Sequence, residues 1–270
     1  MCGIIGFTGR KPAKDILIDG LERLEYRGYD SAGIALLNDD DTLTIRKKAG
    51  RVSELRELCK DGDYSSTCGI GHTRWATHGG VTDANAHPHR CGNVALIHNG
   101  IIENYSDIIR EYGLADKLVS ETDSEVVAAL LDTLYDGDPI AAIRKAVKII
   151  AGSFALCIMF ADRPGIIYAV RNVSPMVAAH SEEGSIIASD LTAIISFSKD
   201  YFVVPEYHIL TMTQEGIRVE DLKGNEVKPQ MLEITWDITA AQKGGFPHFM
   251  LKEIYEPVSY THLRAHETDQ

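Results

Sequence analysis

The stretch MCGIIGF, residues 1–7, is a short apolar run that ends at Thr8 and Gly9. Such a run, followed by turn-forming residues, is typical of a buried β-strand. Cys2 stands at its head and is preceded only by Met1. Because a small second residue normally permits removal of the initiator methionine, we expect Cys2 to become the first residue of the processed chain.

An N-terminal cysteine can act as a nucleophile that carries its own base. The free α-amine has an intrinsic pKa of about 7.7–8.0 and a thiol one of about 8.5, so a partly neutral amine can take the thiol proton directly or through a water. A cysteine at an arbitrary position is more often a small apolar residue of the core. Position alone therefore makes Cys2 a candidate nucleophile that needs companion groups.

Beyond this strand, the pattern predicts strands, then helices, then strands. Helices are predicted over 15–26, 53–58, 122–134 (with Thr122 and Glu125 as a capping box) and 139–150, and a brief helical stretch over 191–196. Strands are predicted over 32–37, 42–48, 68–74, 94–98, 154–160, 166–171, 185–188 and 208–213. Because strands and helices do not alternate regularly, we expect an antiparallel α+β domain.

Composition excludes several classes of protein. The chain has 270 residues, 44% of them apolar and 24% charged, as expected of a soluble globular protein. Its net charge of −12 argues against a nucleic-acid partner, since no large positive field is available for phosphates. No apolar run is long enough for a membrane span, and no secretory signal opens the chain. We expect a cytoplasmic location without a membrane partner.

Motifs for cofactors and metals are absent from the sequence. The five cysteines form no CxxC pair, so neither a disulfide framework nor a zinc ribbon is predicted. The histidines follow no metal-binding spacing, and we expect no metal ligands. Neither GxGxxG nor GxxxxGK[ST] occurs, so no nucleotide cofactor is expected.

Three polar clusters follow predicted strands or begin a predicted helix. In HTRWATHG, residues 72–79, the group of Arg, Trp, Thr and His favours a carboxylate site, although Arg74 alone would be a surface charge and Trp75 alone core filler. In IHNG, residues 97–100, the Asn-Gly pair is either a turn or an oxyanion hole. In SETDSE, residues 120–125, Asp123 is either a helix cap or a partner for a substrate ammonium group.

Six segments resemble the N-terminal glutaminase domain of the glucosamine-6-phosphate synthases, also called glutamine–fructose-6-phosphate aminotransferases (isomerising). These enzymes belong to the class II glutamine amidotransferases. The segments are MCGIIGF (1–7), LEYRGYDSAGIA (24–35), HTRWATHG (72–79), NAHPH (85–89), IHNGIIEN (97–104) and SETDSE (120–125). The resemblance implies an N-terminal-nucleophile hydrolase fold, a four-layer αββα sandwich with two antiparallel sheets.

The same resemblance implies roles for residues around the nucleophile. Cys2 would attack the carboxamide of L-glutamine, and Asn99 with Gly100 would hold the oxyanion. Trp75 would gate the passage of ammonia. Arg27, in the RGYD turn, would lie near the nucleophile.

The resemblance also implies how glutamine is bound. Arg74, Thr77 and His78 would bind the α-carboxylate, and Asp123, helped by the Gly100 backbone, would bind the α-ammonium group. The sequence leaves two alternatives open. In the first, the chain is the glutaminase of another class II amidotransferase; in the second, it is a glutamine-binding module without catalytic turnover.

The sequence also predicts how the chain is divided into domains. We expect the amidotransferase domain over residues 2–240, the start of an interdomain linker over 241–257, and an unassigned, non-native tail over 258–270. The sugar-isomerase domains, through which the full-length enzymes act on fructose 6-phosphate, are expected to be missing, as in a truncated sequence. The full-length enzyme is expected to be a homodimer.

Overall fold

The computed structural model describes residues 2–62, 64–77 and 79–234. They form five α-helices: α1 (Ala13–Leu24), α2 (Val52–Leu58), α3 (Tyr105–Tyr112), α4 (Asp123–Leu134) and α5 (Pro139–Ile149). The strands are β1 (Gly3–Gly9), β2 (Ser31–Leu37), β3 (Leu43–Ala49), β4 (Cys68–Arg74), β5 (His89–Cys91), β6 (Val94–Ile102), β7 (Gly152–Phe160), β8 (Ile167–Asn172), β9 (Val177–Ser181), β10 (Gly184–Ala188), β11 (Asp200–Val203), β12 (His208–Thr213), β13 (Gly216–Asp221) and β14 (Leu232–Glu233). Short 3₁₀ turns cover Glu25–Arg27, Ala115–Lys117 and Leu191–Ala193.

The strands form two antiparallel sheets. The first has the order β14-β11-β9-β10-β1-β4-β2-β3, and the second β13-β12-β8-β7-β6-β5. The opening strand β1 lies inside the first sheet, where Ile5 pairs with Ala188 of β10 and with Gly71 of β4. The predicted antiparallel α+β class is confirmed.

Alternation of side chains along the strands builds the layers. Ile4 of β1 belongs to an apolar cluster between the two sheets, together with Ile97 of β6, whereas the next residue, Ile5, packs against Leu17 of α1. On the second sheet, Leu96 faces the opposite way from Ile97 and joins the cluster under α3, α4 and α5. Because neighbouring residues of a strand point to opposite faces, each sheet has one helix-covered face and one face toward the other sheet. The result is the predicted four-layer αββα sandwich.

The elements differ from the predicted ones in identifiable places. Helix α3 was not predicted, because it is short and only Ile108 within it is fully buried. Strand β6 continues to Ile102 instead of ending at His98, and it pairs with β7 throughout. The turn interpretation of the Asn-Gly pair in residues 97–100 is therefore wrong. The strands β5, β9, β11, β13 and β14 were also missed, and each is six residues or shorter.

The predicted boundary at residue 240, the linker over 241–257 and the tail over 258–270 lie outside the described residues.

Within the described part, no helix combines the length and apolar character that a membrane crossing requires.

Candidate active site

A cleft lies where β1 begins, β4 ends and α4 begins. It encloses about 310 Å³ of empty space, including its open mouth. The residues that line it are Cys2, Arg74, Trp75, Thr77, His87, His98, Gly100, Thr122, Asp123 and Ser124. Six of the residues singled out in the sequence are thus brought together from three of the four layers.

The thiol of Cys2 faces this cleft and is already hydrogen-bonded. The backbone N–H of Trp75 donates to Cys2 Sγ at 3.2 Å. Burial raises the pKa of the thiol, while the Trp75 N–H and the positive charge of Arg74 act in the opposite direction. The thiol is therefore the resting form, and a thiolate formed during reaction would find a donor in place.

Asn99 and Gly100 lie beside Cys2, as part of β6. Asn99 is buried, and its side-chain Nδ2 donates to the Cys2 carbonyl oxygen at 3.0 Å. An amide nitrogen has two hydrogens, so the second remains for another acceptor. Gly100 has φ of +135°, and a Cβ there would overlap the Ser153 carbonyl, so only glycine fits.

Opposite charges stand on two walls of the cleft. Arg74 ends β4, and its guanidinium Nη1 donates to the Gly80 carbonyl oxygen at 3.0 Å. Burial lowers the pKa of Arg74, but nearby acidic groups, Asp123 among them, act against this effect. Asp123 is only 6% exposed and accepts the Ile102 N–H at 2.8 Å. An amino acid carries the complementary pair of charges.

The N-cap of α4 resolves one alternative from the sequence. Thr122 is the N-cap residue, and its Oγ1 accepts the N–H of Glu125 at 3.3 Å. Asp123 is the first helical residue, so the cap interpretation of Asp123 is wrong. Its carboxylate borders the cleft instead.

The remaining residues singled out in the sequence, and the side chain of Trp75, complete the description of the site. Arg27 does not line the cleft; it forms an ion pair with Asp190, to which the hydroxyl of Tyr26 also donates. Trp75 is 44% exposed at the rim, and its indole packs edge-on against Tyr29. His78 lies outside the described residues.

Comparison with known proteins decides the family. Residues 72–196 match the family described as "Glutamine amidotransferase domain". The chain is 43% identical over 260 residues to the glutamine–fructose-6-phosphate aminotransferase (isomerizing) of Clostridium tetani, and 45% identical over 262 residues to that of Fusobacterium nucleatum. The chain carries a class II glutamine amidotransferase domain. These alignments cover 95% of this chain but only 42% and 43% of the two relatives.

Solved structures show the same fold. The amidotransferase domain is similar to a solved structure titled "structure of the allosteric regulatory enzyme of purine biosynthesis", with a TM-score of 0.73 and 25% identity. A second, the B. subtilis glutamine phosphoribosylpyrophosphate amidotransferase in complex with ADP and GMP, has a TM-score of 0.71 at 24% identity. Each similarity covers 83% of this chain and 50% of the other. The N-terminal-nucleophile hydrolase fold is confirmed.

Asp30 is a residue of the amidotransferase domain that sequence reasoning missed. Its carboxylate accepts the N–H of Ala76 at 2.9 Å, and its own N–H donates to the Arg74 carbonyl oxygen at 3.0 Å. It therefore fixes the course of the chain just after β4, where Trp75 borders Cys2. The sequence did contain a signal for this role, because Asp30 belongs to the RGYDSAG segment that carries the family resemblance.

A second missed group joins the loops on either side of the cleft. The carboxylate of Glu121 accepts the N–H of Gly80 at 3.2 Å and the side-chain Nδ2 of Asn85 at 2.9 Å. Asn85 Oδ1 in turn accepts the N–H of Glu121 at 3.0 Å. These bonds tie the loop after Arg74 to the loop before Asp123, so both charged walls share one scaffold.

The histidines of the amidotransferase domain form a buried cluster. His72, His87, His89 and His98 are each at most 4% exposed. Burial lowers the pKa of each, to about 3 for His72, so the rings are neutral at pH 7. Among the residues that the structure describes, no group of three or more His, Cys, Asp or Glu side chains is arranged to hold a metal.

Proposed function

We propose that this domain hydrolyses L-glutamine to glutamate and ammonia through a thioester on Cys2. One observation carries the proposal: the Cys2 thiol faces a cleft that has Arg74 on one wall and Asp123 on the other. A cleft lined by a thiol, a cation and a carboxylate suits an amino acid whose side chain is to be attacked. The names of the relatives support the same activity.

The proposed binding mode uses the two charged walls. Arg74, with Thr77 and His78, binds the α-carboxylate, for which a guanidinium offers two parallel donors. Asp123 and the Gly100 backbone bind the α-ammonium group. With its α-carboxylate and α-ammonium groups both bound, the substrate points its carboxamide toward Cys2. Binding therefore fixes the position of the carboxamide carbon relative to the sulfur before the reaction begins.

The proposed reaction begins after removal of Met1. The α-amine of Cys2 takes the thiol proton, and the sulfur forms a bond to the carboxamide carbon. The carbonyl electron pair moves to oxygen, where Asn99 and the Gly100 N–H stabilise the negative charge. The pair then re-forms the carbonyl as the C–N bond breaks, and the leaving nitrogen takes the proton from the Cys2 ammonium group and departs as ammonia. This leaves a γ-glutamyl thioester.

Water completes the proposed cycle. The neutral α-amine takes a proton from water, whose oxygen bonds to the thioester carbon, and the C–S bond then breaks. The sulfur recovers the proton, and glutamate is released. Loss of one oxyanion donor, as in Asn99→Ala, is expected to lower kcat about 10²–10³-fold.

The role in a larger enzyme is a further part of the proposal. The chain spans 42% of the length of the Clostridium tetani relative. We propose that it is the ammonia-supplying half of a cytoplasmic, homodimeric glutamine–fructose-6-phosphate aminotransferase, with fructose 6-phosphate bound by further domains. Trp75, exposed at the cleft rim, is proposed to gate the passage of ammonia. Arg27, through Asp190 beside the start of β1, is proposed to support the nucleophile's surroundings.

Glutamate release from glutamine tests the activity. The wild type should release glutamate, Cys2→Ala should fall to background, and Cys91→Ala, outside the cleft, should behave like the wild type. Calorimetry should still detect glutamine bound to Cys2→Ala, since the charged walls are intact. Equal background rates in the wild type and in Cys2→Ala would instead favour a glutamine-binding module without turnover.

Processing of Met1 gives a separate test of the base. If the freed α-amine takes the thiol proton, a chain that retains Met1 should be nearly inactive. Mass spectrometry of the active fraction should find Met1 missing. Full activity with Met1 in place would contradict the role of the amine without touching that of the thiol.

A further inference from the structure

We propose that His72 is a positioning residue that fixes the orientation of the Asn99 side-chain amide, so that its N–H groups face Cys2. The inference rests on the proposed glutaminase function, because it assigns His72 a role in building the oxyanion site. His72 does not line the cleft, and the proposed reaction gives it no task. Its ring nevertheless contacts Asn99, whose side chain donates to Cys2.

The proton of the His72 ring can be located from its neighbours. Nε2 lies 3.1 Å from the His98 carbonyl oxygen and 2.9 Å from Asn99 Oδ1. A backbone carbonyl only accepts hydrogen bonds and cannot be turned around, so Nε2 must carry the hydrogen. Nδ1 is buried without a partner among the described residues, as suits the nitrogen that lacks a hydrogen, since an unsatisfied buried N–H is rare.

This tautomer then decides the orientation of the Asn99 amide. The two ends of an amide have the same shape, and only the hydrogen-bond partners distinguish them. Because Nε2–H of His72 is a donor, the atom of Asn99 that faces it must be the oxygen. The nitrogen is thereby turned to the opposite side, where it donates to the Cys2 carbonyl oxygen at 3.0 Å.

Rotation of the Asn99 amide would have two costs. Its NH₂ group would face the N–H of His72, which places two donors together, and its oxygen would face the carbonyl oxygen of Cys2, which places two acceptors together. It would also present a negative end to the oxyanion of the proposed reaction, and so destabilise the state that it should stabilise. The ring thus makes one of two nearly isosteric arrangements strongly preferred.

Packing holds the His72 ring in place. The ring of His87 stacks on it with centroids 4.1 Å apart and planes 17° apart. His87 lies in a loop whose carbonyl groups are held from β3, since Nζ of Lys47 donates to Ala86 O at 2.8 Å and to Ala84 O at 3.0 Å. Both rings are buried and neutral, so they present fixed hydrogen-bonding faces.

Nitrogen-15 NMR of the wild type, with labelled histidine, tests the tautomer directly. At pH 7 the His72 ring should be neutral, with the hydrogen on Nε2. This result requires no variant and no activity, so it stands apart from the test of the proposed function by Cys2→Ala. A ring that is charged, or that carries its hydrogen on Nδ1, would overturn the inference whatever the protein catalyses.

Two substitutions of His72 separate orientation from mere packing. Gln can place an N–H near the position of Nε2, whereas Met fills the space without a donor. We expect His72→Met to lower kcat about 10- to 100-fold with little change in KM, because Arg74 and Asp123 still bind the substrate. His72→Gln should recover most of that loss. Equal effects of the two variants, or effects on KM alone, would contradict a role through Asn99.

A double-mutant cycle with Asn99→Ala gives the sharpest result. Since His72 acts only through the Asn99 amide, adding His72→Met to Asn99→Ala should lower kcat no further. If the fold-losses in kcat of the two single variants multiplied in the double variant, His72 would act by a route other than Asn99. His180→Met is the control and should leave kcat close to that of the wild type, because His180 bonds Ser185, which pairs with Thr8 at the end of β1 away from Cys2.

Discussion

Acid should unfold this domain through its buried histidines. The wild type should lose stability when the pH falls from 7 to 5. His72, His87 and His89 have folded-state pKa values well below the ordinary 6.5, because burial disfavours the charged ring and the charges of Arg74 or Lys47 oppose it further. In the unfolded chain each ring titrates near 6.5.

The sign and size follow from the protons bound in the two states. Below pH 6.5 the unfolded chain takes up protons that the folded domain does not, so stability is present above 6.5 and is lost as the pH falls. Between pH 7 and 5 each such ring costs about 2 kcal/mol, and the three together about 6 kcal/mol. That is comparable with the whole stability of a typical domain, about 5–15 kcal/mol. His98 adds in the same direction, with Asp123 partly opposing the lowering of its pKa.

Urea titration at pH 7, 6 and 5 measures this dependence. The free energy of unfolding should fall steeply between pH 6 and 5. The variant His89→Gln, with one titrating ring fewer, should lose about 2 kcal/mol less over the same range. Its stability at pH 7 is also expected to be lower, since it gives up the contact with Thr122, so the comparison is between slopes.

Two results would show that the buried histidines do not cause the acid sensitivity. A loss below about 2 kcal/mol between pH 7 and 5 would mean that the rings are not protected from protons in the folded state. An unchanged slope in His89→Gln would mean that other groups cause the loss. If activity were lost between pH 7 and 5 while the domain stayed folded, the cause would be titration of groups in the cleft and not of the buried histidine cluster.

Three further predictions concern single residues. Arg74→Lys replaces a two-pronged donor by a point charge, so KM for glutamine should rise about 10- to 100-fold in initial-rate assays while kcat changes less, and an unchanged KM would contradict carboxylate binding. Gly100→Ala forces a side chain at a φ of +135° against the Ser153 carbonyl, so urea unfolding should find a loss of about 2 kcal/mol or more together with lower kcat; wild-type stability would disprove the steric argument. Arg27→Met leaves Asp190 partly buried without its cation and should cost about 3 kcal/mol in thermal unfolding, whereas a second change, Asp190→Leu, should restore part of it.

The sequence was most informative where local pattern and tertiary role coincide. The helices α4 and α5 were predicted with their N-terminal residues, because Thr122 and Pro139 act within one turn of the chain. The apolar runs that became β1 and β4 were equally clear, since both are buried along their whole length. Polar or very short elements such as α3 and β5 lack that signal, because their position depends on what they pack against.

The site was predictable in its chemistry but not in its geometry. Arg74 and Asp123 were recognisable as a pair of charges, yet nothing local indicated that β4 and α4 would place them around one cleft. The Asn-Gly pair illustrates the limit: its local preference is for a turn, whereas pairing with β7 over a distance of more than fifty residues extends it as a strand. The hydrogen-bond partners of His72 also arise only when the sheets meet.

Assembly from several layers has a consequence for refolding. Cys2 and Arg74 belong to the first sheet, Asn99 and Gly100 to the second, and Asp123 to a helix behind the second sheet. Neither half on its own presents a complete set of groups, however well its own strands have paired. In a refolding experiment, recovery of glutamate release should therefore lag behind recovery of the circular dichroism signal. Enzymatic turnover would then time the moment at which the two sheets dock.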